Sequence, residues 1–600
     1  MRIKWFSAIR VIGMLFVLLY HFYISFFPGG FVGVDLFFTL SGYLTTALFL
    51  DEYAKHQTID FKGFFQRRFY RIFPPVVFTL LITTPLALLV RSDFIAGIGR
   101  QLMAALGFMT NFFEILAGGS YENQFTPHLF LHTWSLAIEA QFYVLWALII
   151  WGMTRFAKTI GHLRGMVFLT SSFLFLSSFL AMFISSFFVK SFSTIYFSTL
   201  THIFPFFLGS VLASLTGLKK LTRPFERVIA KWNLKRVLSV IAGGLAVELL
   251  LLLFLTFNSI WTYLFGFLLS SLATAAMIYG VRVLHEKTEQ IKEPAILLFL
   301  SNISYGVYLF HWPFYIILSQ LLPHVLAVAL TLLFSIIFAT FSFYLLEPYL
   351  AGRRGKLLGL EIDLTPYTRW IWSTGVVLAF TAFGISLFAP RLGNFERESL
   401  VNNLYQAERQ MISTRSAAEN AQATDYNVEK GITIIGDSVS VRASEGIQSL
   451  LPKAQLDGAV SRNLSEADKL VQLYQNSHSL KENVVIALGT NASENYHELL
   501  DNLVEQFPKG HRLIFVTPYD GNNASGQALA YQIGQYERQL AKKYNYISIA
   551  DWYRVAKENP HIWTNTDLVH FNLATDGATL FAQTIQSAIE QAEKQPVKTN

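Results

Sequence analysis

Long uncharged apolar runs fill the first two thirds of the chain, and mixed polar sequence takes over near residue 391. A helix crossing the hydrocarbon core needs about 20 apolar residues. About eleven runs meet that measure: 6–27, 31–50, 74–91, 128–153, 165–189, 198–217, 236–257, 259–282, 297–319, 323–346 and 369–389. The stretch 96–116 is broken by Arg100, Asn111 and Glu114, and reads as re-entrant or interfacial. The pattern predicts a polytopic α-helical membrane domain over residues 1–350, then a cytoplasmic loop and last span over 351–390.

Residues 391–430 lose the apolar periodicity and read as a linker. Beyond it, the β-rich runs 431–435, 483–488, 512–517 and 546–549 alternate with helical patterns. Strands alternating with helices predict a parallel sheet covered on both faces, so residues 431–600 read as a three-layer α/β domain. Active sites in such sheets lie at the carboxyl ends of the strands.

Composition agrees with this division. The 600 residues are 53% hydrophobic and 14% charged, against about 25% charged in ordinary soluble domains. The net charge of +7 reads as topology, because short basic loops stay cytoplasmic. Basic residues cluster in alternate loops: Arg2 and Lys4; Lys62 to Arg71; Arg155 to Arg164; Lys219 to Arg236; Arg282 to Lys292; Arg353 to Lys356. This places the amino terminus in the cytoplasm and, with an odd number of spans, the C-terminal domain outside the plasma membrane. The first span reads as an uncleaved anchor. No basic, aromatic-interleaved soluble module points to nucleic acid. The chain has no cysteine, which excludes disulfides, thiolate metal sites and a cysteine nucleophile, and suits a Gram-positive surface.

Ionisable residues inside spans mark candidate chemistry. Arg10 and His21 share one face of the first span, about 16 Å apart along its axis, which is too far for one reaction centre. They fit either the two ends of a path through the bundle, or a snorkelling anchor and a packing residue. His132 and Glu139 lie seven residues apart on one face of the fourth span, which suits an ion pair or proton relay and a helix–helix hydrogen bond equally. Arg67, Arg68 and Arg71 fit either topology or phosphate binding.

In the C-terminal domain the first strand runs into Gly436-Asp437-Ser438, and Asp567-Leu-Val-His570 lies near the chain end. A serine needs a base to become nucleophilic, and a histidine needs an acceptor to fix its tautomer. Ser438, His570 and Asp567 supply a complete triad. Each run taken alone also fits an ordinary turn.

Five runs in order resemble the successive motifs of acyltransferase family 3. They are Arg10 with His21, Phe37-Phe-Thr-Leu-Ser-Gly42, Arg67-Arg-Phe-Tyr-Arg-Ile-Phe-Pro74, His132-Thr-Trp-Ser-Leu-Ala-Ile-Glu139 and Ser304-Tyr-Gly-Val-Tyr-Leu-Phe-His-Trp-Pro313. The resemblance implies acyl transfer from cytoplasmic acetyl-CoA to extracytoplasmic carbohydrate. Arg10, His21, His132 and Glu139 are then candidates for membrane acyl transfer, and Arg67, Arg68 and Arg71 for binding coenzyme A. His202 departs from the pattern, since similar proteins often carry an arginine there.

Residues 431–600 resemble the SGNH hydrolase superfamily through Gly436-Asp437-Ser438, Gly489-Thr490-Asn491 and Asp567 to His570. That resemblance assigns an oxyanion hole to the Ser438 amide and Asn491. The second block has no unambiguous glycine, and Gly458 or Ser461 stands in for it. The fusion of the two halves resembles the peptidoglycan O-acetyltransferases, whose acceptor is a muramoyl hydroxyl. Other exported glycans, an external carbohydrate esterase, and a transporter with a glycan-binding domain are the rival readings. No metal and no diffusible cofactor beyond the acetyl-CoA substrate is expected.

Overall fold

A computed structural model describes residues 3–599, apart from 91, 118–127, 190, 219, 358, 391–427, 461, 492–494, 524–527 and 565. The chain divides into two compact units, Met1–Gly393 and Asn394–Asn600. The expected linker at 391–430 falls almost wholly outside the described residues.

In the first unit, ten described helices are long and apolar enough to cross a membrane, and Phe6–Phe22 adds a shorter apolar helix of 17 residues. Each overlaps one predicted run, so the expected multi-pass helical architecture holds. Several boundaries shift, and the largest correction is at the third helix. The third helix spans Phe61–Leu86, with Asp60 as its cap accepting from the Gly63 amide at 2.9 Å. Pro74 and Pro75 suit a first helical turn but lie inside this helix, so Arg67, Arg68 and Arg71 sit on the helix itself and not in a loop.

The stretch 96–116 forms two short helices, Ile98–Leu106 and Thr110–Leu116, neither long enough to span. Its polar residues are partnered inside the protein. The Asn111 amide donates to Thr199 Oγ1 at 3.0 Å, its carbonyl accepts from Gln141 at 3.0 Å, and Glu114 meets His128 at 2.8 Å.

Close helix contact comes from small residues, as in other membrane bundles. Helices Gly33–His56 and Phe204–Thr216 approach so tightly that a Cβ on Gly42 would lie 1.9 Å from the Phe206 carbonyl oxygen. Beside this contact the Thr46 hydroxyl donates to Ser210 at 2.8 Å and accepts from Trp146 Nε1 at 2.7 Å.

Toward the end of this unit, β1 (Gly355–Leu357) and β2 (Leu360–Ile362) make a small antiparallel pair that the apolar pattern does not announce. The second unit holds a five-stranded parallel sheet of β3 (Glu429–Gly436), β4 (Gln455–Gly458), β5 (Lys481–Ala487), β6 (Arg512–Val516) and β7 (Ile547–Ala550). Its order is β4-β3-β5-β6-β7. The edge strand β4 is missing from the sequence reading because its run, Gln-Leu-Asp-Gly, is too short and polar to signal a strand.

Alternate residues of the sheet feed two separate cores. Ile434, Val485 and Ile514 pack beneath helix Gly577–Ala592, while Ile435, Ile486 and Phe515 pack beneath helices Tyr496–Gln506 and Leu529–Lys543. That is the three-layer arrangement expected from the alternation of strands and helices. The chain leaves β3 toward β4 on one side and returns to β5 on the other. The carboxyl end of β3 is therefore the switch point of the sheet, where such folds leave a crevice.

Candidate active site

At that switch point β3 ends in Gly436, and Asp437 caps the short helix Ser438–Arg442 by accepting from the Val439 amide at 3.0 Å. Ser438 is the first helical residue and is buried. Its hydroxyl lies 2.7 Å from His570 Nε2, and His570 Nδ1 lies 2.7 Å from Asp567 Oδ2. A carboxylate only accepts, so Nδ1 carries the hydrogen and Nε2 faces the serine with its lone pair.

One short loop delivers both partners. Asp567 Oδ1 accepts from the amides of His570 and Val569, at 2.7 and 3.0 Å. Leu568 takes a left-handed backbone, φ 62°, and its carbonyl accepts from the Gly521 amide at 2.9 Å. A Cβ on Gly521 would sit 2.9 Å from that of Leu568, so only glycine fits beneath the loop. The Asn522 amide braces it further, donating to the Asp567 carbonyl at 2.7 Å.

Burial alone would raise the Asp567 pKa, but the hydrogen bond and charge of His570 with two backbone amides outweigh it and hold the carboxyl below its usual range. Asp437 goes the other way. Its burial outweighs the hydrogen bonds from Thr490 and Val439 and raises its pKa.

Asn491 donates its side-chain amide to the Arg462 carbonyl at 2.9 Å, and Gly458 ends β4 level with Gly436. Ser461 lies outside the described residues. Sequence reasoning passed over Arg462. It is 9% exposed, its guanidinium donates to Asp457 Oδ1 at 2.8 Å and to the Gly436 carbonyl at 3.2 Å, and so it ties the ends of β3 and β4 together.

In the membrane unit the relay between His132 and Glu139 is corrected, and each instead makes the hydrogen bond between elements that was the alternative. His132 lies in the 3₁₀ turn Leu131–Thr133, ahead of the helix Trp134–Thr154 that carries Glu139. Glu139 accepts from Ser41 Oγ at 2.6 Å and from the Tyr143 hydroxyl. It lines a chamber of about 120 Å³ with Arg10, Arg68, Arg71, Ser135 and Tyr308. Arg10, Arg68 and Arg71 also line a second cavity of about 830 Å³, joined there by Arg67, Lys55 and Lys220.

His132 belongs to a different cluster. His21 Nδ1 lies 2.8 Å from His311 Nε2, and the rings of His132 and His311 are 5.9 Å apart. Helix Ala295–Leu321 contains Pro313, which has no N–H to offer the carbonyl of Leu309 one turn earlier. His132 Nε2 meets that carbonyl at 3.0 Å. His311 lies in the run Ser304 to Pro313, where the sequence alone assigns it no role. Its signal is a histidine two residues before a proline in an apolar span.

Arg10 and His21 thus fall in separate places, the first in the arginine-lined chamber and the second in the histidine cluster. Between them, the Tyr308 hydroxyl lies 2.6 Å from Ser135 Oγ and donates to the His132 carbonyl at 2.7 Å. His202 is fully buried, with Nε2 3.3 Å from Asp35 Oδ1 and Nδ1 2.8 Å from the Tyr196 carbonyl. It lines neither cavity.

Comparison with known proteins supplies the context. The model of the acyltransferase domain family matches residues 3–347. A Staphylococcus aureus (strain MRSA252) protein provisionally named an O-acetyltransferase is 29% identical over 91% of each chain. The O-acetyltransferase OatA of the same strain is 26% identical over 95% of this chain and 93% of its own. Among solved structures, the C-terminal catalytic domain of Streptococcus pneumoniae peptidoglycan O-acetyltransferase A, carrying a methylsulfonyl adduct, is 41% identical. It covers 29% of this chain and all of its own, with a TM-score of 0.28.

Proposed function

The chain belongs to the acyltransferase domain family, and from that membership we propose that it O-acetylates a cell-wall glycan. Acetyl leaves acetyl-CoA on the cytoplasmic face and reaches a hydroxyl outside, the muramoyl 6-hydroxyl of peptidoglycan, through an acyl-enzyme on Ser438. The observation that carries the reading is the unbroken line from Asp567 through His570 to Ser438 at the switch point of the sheet. A bundle of an acyl-transferring family joined to such a site has a use for a nucleophile that can hold an acetyl group. The likeness to relatives named O-acetyltransferases supports the same conclusion.

His570 Nε2 takes the Ser438 proton as Oγ attacks the acetyl carbonyl, then returns it to the departing group of the donor. In the second half the same nitrogen takes the proton of the glycan hydroxyl, whose oxygen attacks the acetyl-serine, and Ser438 leaves with that proton. The Ser438 amide and Asn491 are assigned to the developing oxyanion.

On the donor side, coenzyme A carries phosphates that guanidinium forks bind bidentately. The larger cavity presents Arg67, Arg68 and Arg71, and the adjoining chamber has room for a group as small as acetyl. Basic loops in alternate positions support a cytoplasmic amino terminus and an extracellular C-terminal domain in a Gram-positive plasma membrane.

The test uses the fragment 428–600, which has two hydrophobic cores of its own. Given an activated acetyl ester it should hydrolyse it slowly, and with a muramoyl glycan it should divert acetyl to the sugar. Hydrolysis unchanged by muramoyl, teichoic and exopolysaccharide acceptors, with none acetylated, would replace this reading with an external esterase.

A further inference from the structure

Half-buried His21 and buried His132 and His311 form a cluster whose hydrogen bonds determine where each ring keeps its proton. In the neutral form an imidazole has one N–H, and a backbone carbonyl can only accept. His311 Nδ1 lies 2.6 Å from the Tyr308 carbonyl, so the hydrogen is on Nδ1 and Nε2 holds the lone pair. His21 Nδ1 lies 2.8 Å from that Nε2. It must therefore donate, and the lone pair of His21 moves to its own Nε2. The ring planes are 14° from parallel at 5.0 Å, and Trp312 packs on His21 at 4.6 Å, so the orientation is held by packing as well.

We propose that His311 is a positioning residue for acyl transfer in the membrane unit: through its Nε2 it holds His21 in the tautomer whose Nε2 is basic. The inference rests on the proposed use of acetyl-CoA and deepens it. His311 performs for His21 the service that Asp567 performs for His570, except that a neutral ring replaces a carboxylate, so the cluster gains no charge. A carboxylate at this place would add an anion within an apolar span, where losing its hydration is unfavourable. The tautomer originates in the i−3 carbonyl of Tyr308, so it is built into the helix and does not depend on a mobile side chain.

The experiment uses the full-length chain in membrane vesicles from cells lacking any other copy. Radiolabelled acetyl-CoA is supplied on the cytoplasmic side, and label in base-labile ester linkage to cell-wall glycan is counted. His311→Leu removes the acceptor, whereas His311→Gln offers a carbonyl oxygen near the position of Nε2. His311→Leu should lower kcat about 10- to 100-fold, the range known for partners that orient metal-bound histidines, with the KM for acetyl-CoA unchanged. His311→Gln should recover most of that loss.

Equal loss in both variants, or a change confined to KM, would overturn the positioning role. So would an unchanged His311→Leu rate. Chain recovered per vesicle and its detergent-solubilised melting temperature show that each variant is folded. No labelled ester with the unsubstituted chain would count against the acetyl-CoA reading itself, which keeps the two failures distinct.

Discussion

In the C-terminal unit, Ser438 and the loop holding Asp567 and His570 arrive in two short sequence runs, placed together by the end of one strand and one tight turn. In the membrane unit, His21, His132 and His311 come from three different elements, and partners such as His21 and His311 stand 290 residues apart. A parallel sheet announces its active site through topology, because the carboxyl end of a switch-point strand is a fixed place. A helix bundle offers no such landmark. Which face meets which is decided by side-chain packing, so the spacing of His132 and Glu139 along one helix pattern said nothing about their partners.

The comparison can be broken at its strongest point first. Ser438→Ala should reduce acetyl-ester hydrolysis and glycan acetylation by up to about 10⁶-fold, as loss of a triad nucleophile does, with the fragment 428–600 unfolding at the same temperature. Rates within tenfold of the original would show that the serine holds no acetyl group. Asp567→Asn should cost up to about 10⁴-fold, because the amide would favour the wrong His570 tautomer.

Asp567 also makes an acid-side prediction. Its folded pKa is depressed, so its contribution to stability is fully present above the usual carboxylate range and lost as pH falls through the lowered value. Melting of the fragment followed from pH 6 downward should fall less steeply for Asp567→Asn. A parallel pair of curves would remove the linkage.

In the membrane unit the expected effects are smaller. His21→Ala should lower cell-wall acetylation about 10²- to 10⁴-fold, the range of a general base, and leave ester hydrolysis by the fragment untouched. Normal wall acetylation at normal protein levels would return His21 to a packing role. Smaller still, Arg71→Lys should raise the KM for acetyl-CoA about tenfold by replacing a bidentate fork with a point charge, and an unchanged KM would limit Arg71 to topology.

Much of the fold was legible because two physical signals are strong. Apolar runs of membrane length have one structural use in water-free surroundings, and β-rich runs separated by helical patterns leave few arrangements. The limits were equally physical. Pro74 and Pro75 resemble a helix start, yet the Phe61–Leu86 helix tolerates them inside, so its arginines were read as a loop. The polar edge strand β4 is held by register with β3 and not by its own residues. Arg462 was invisible because its value lies in joining two strand ends, which no local pattern encodes. His202 departs from the motif pattern in sequence, and its ring is committed to Asp35 and Tyr196.

The proline in Ala295–Leu321 turns the helix and the histidine cluster into competitors for one acceptor. Pro313 leaves the Leu309 carbonyl unclaimed by its own ladder, and His132 occupies it. Pro313→Ala would mend the helix and should raise its intrinsic stability, yet the new N–H would share the carbonyl and weaken its hold on His132. A substitution that improves local structure is thus expected to lower acetylation while raising the melting temperature in detergent. A rise in both would show that His132 does not depend on that carbonyl. At this position the regular helix is the rival of the site, and the imperfection is what keeps the histidine in place.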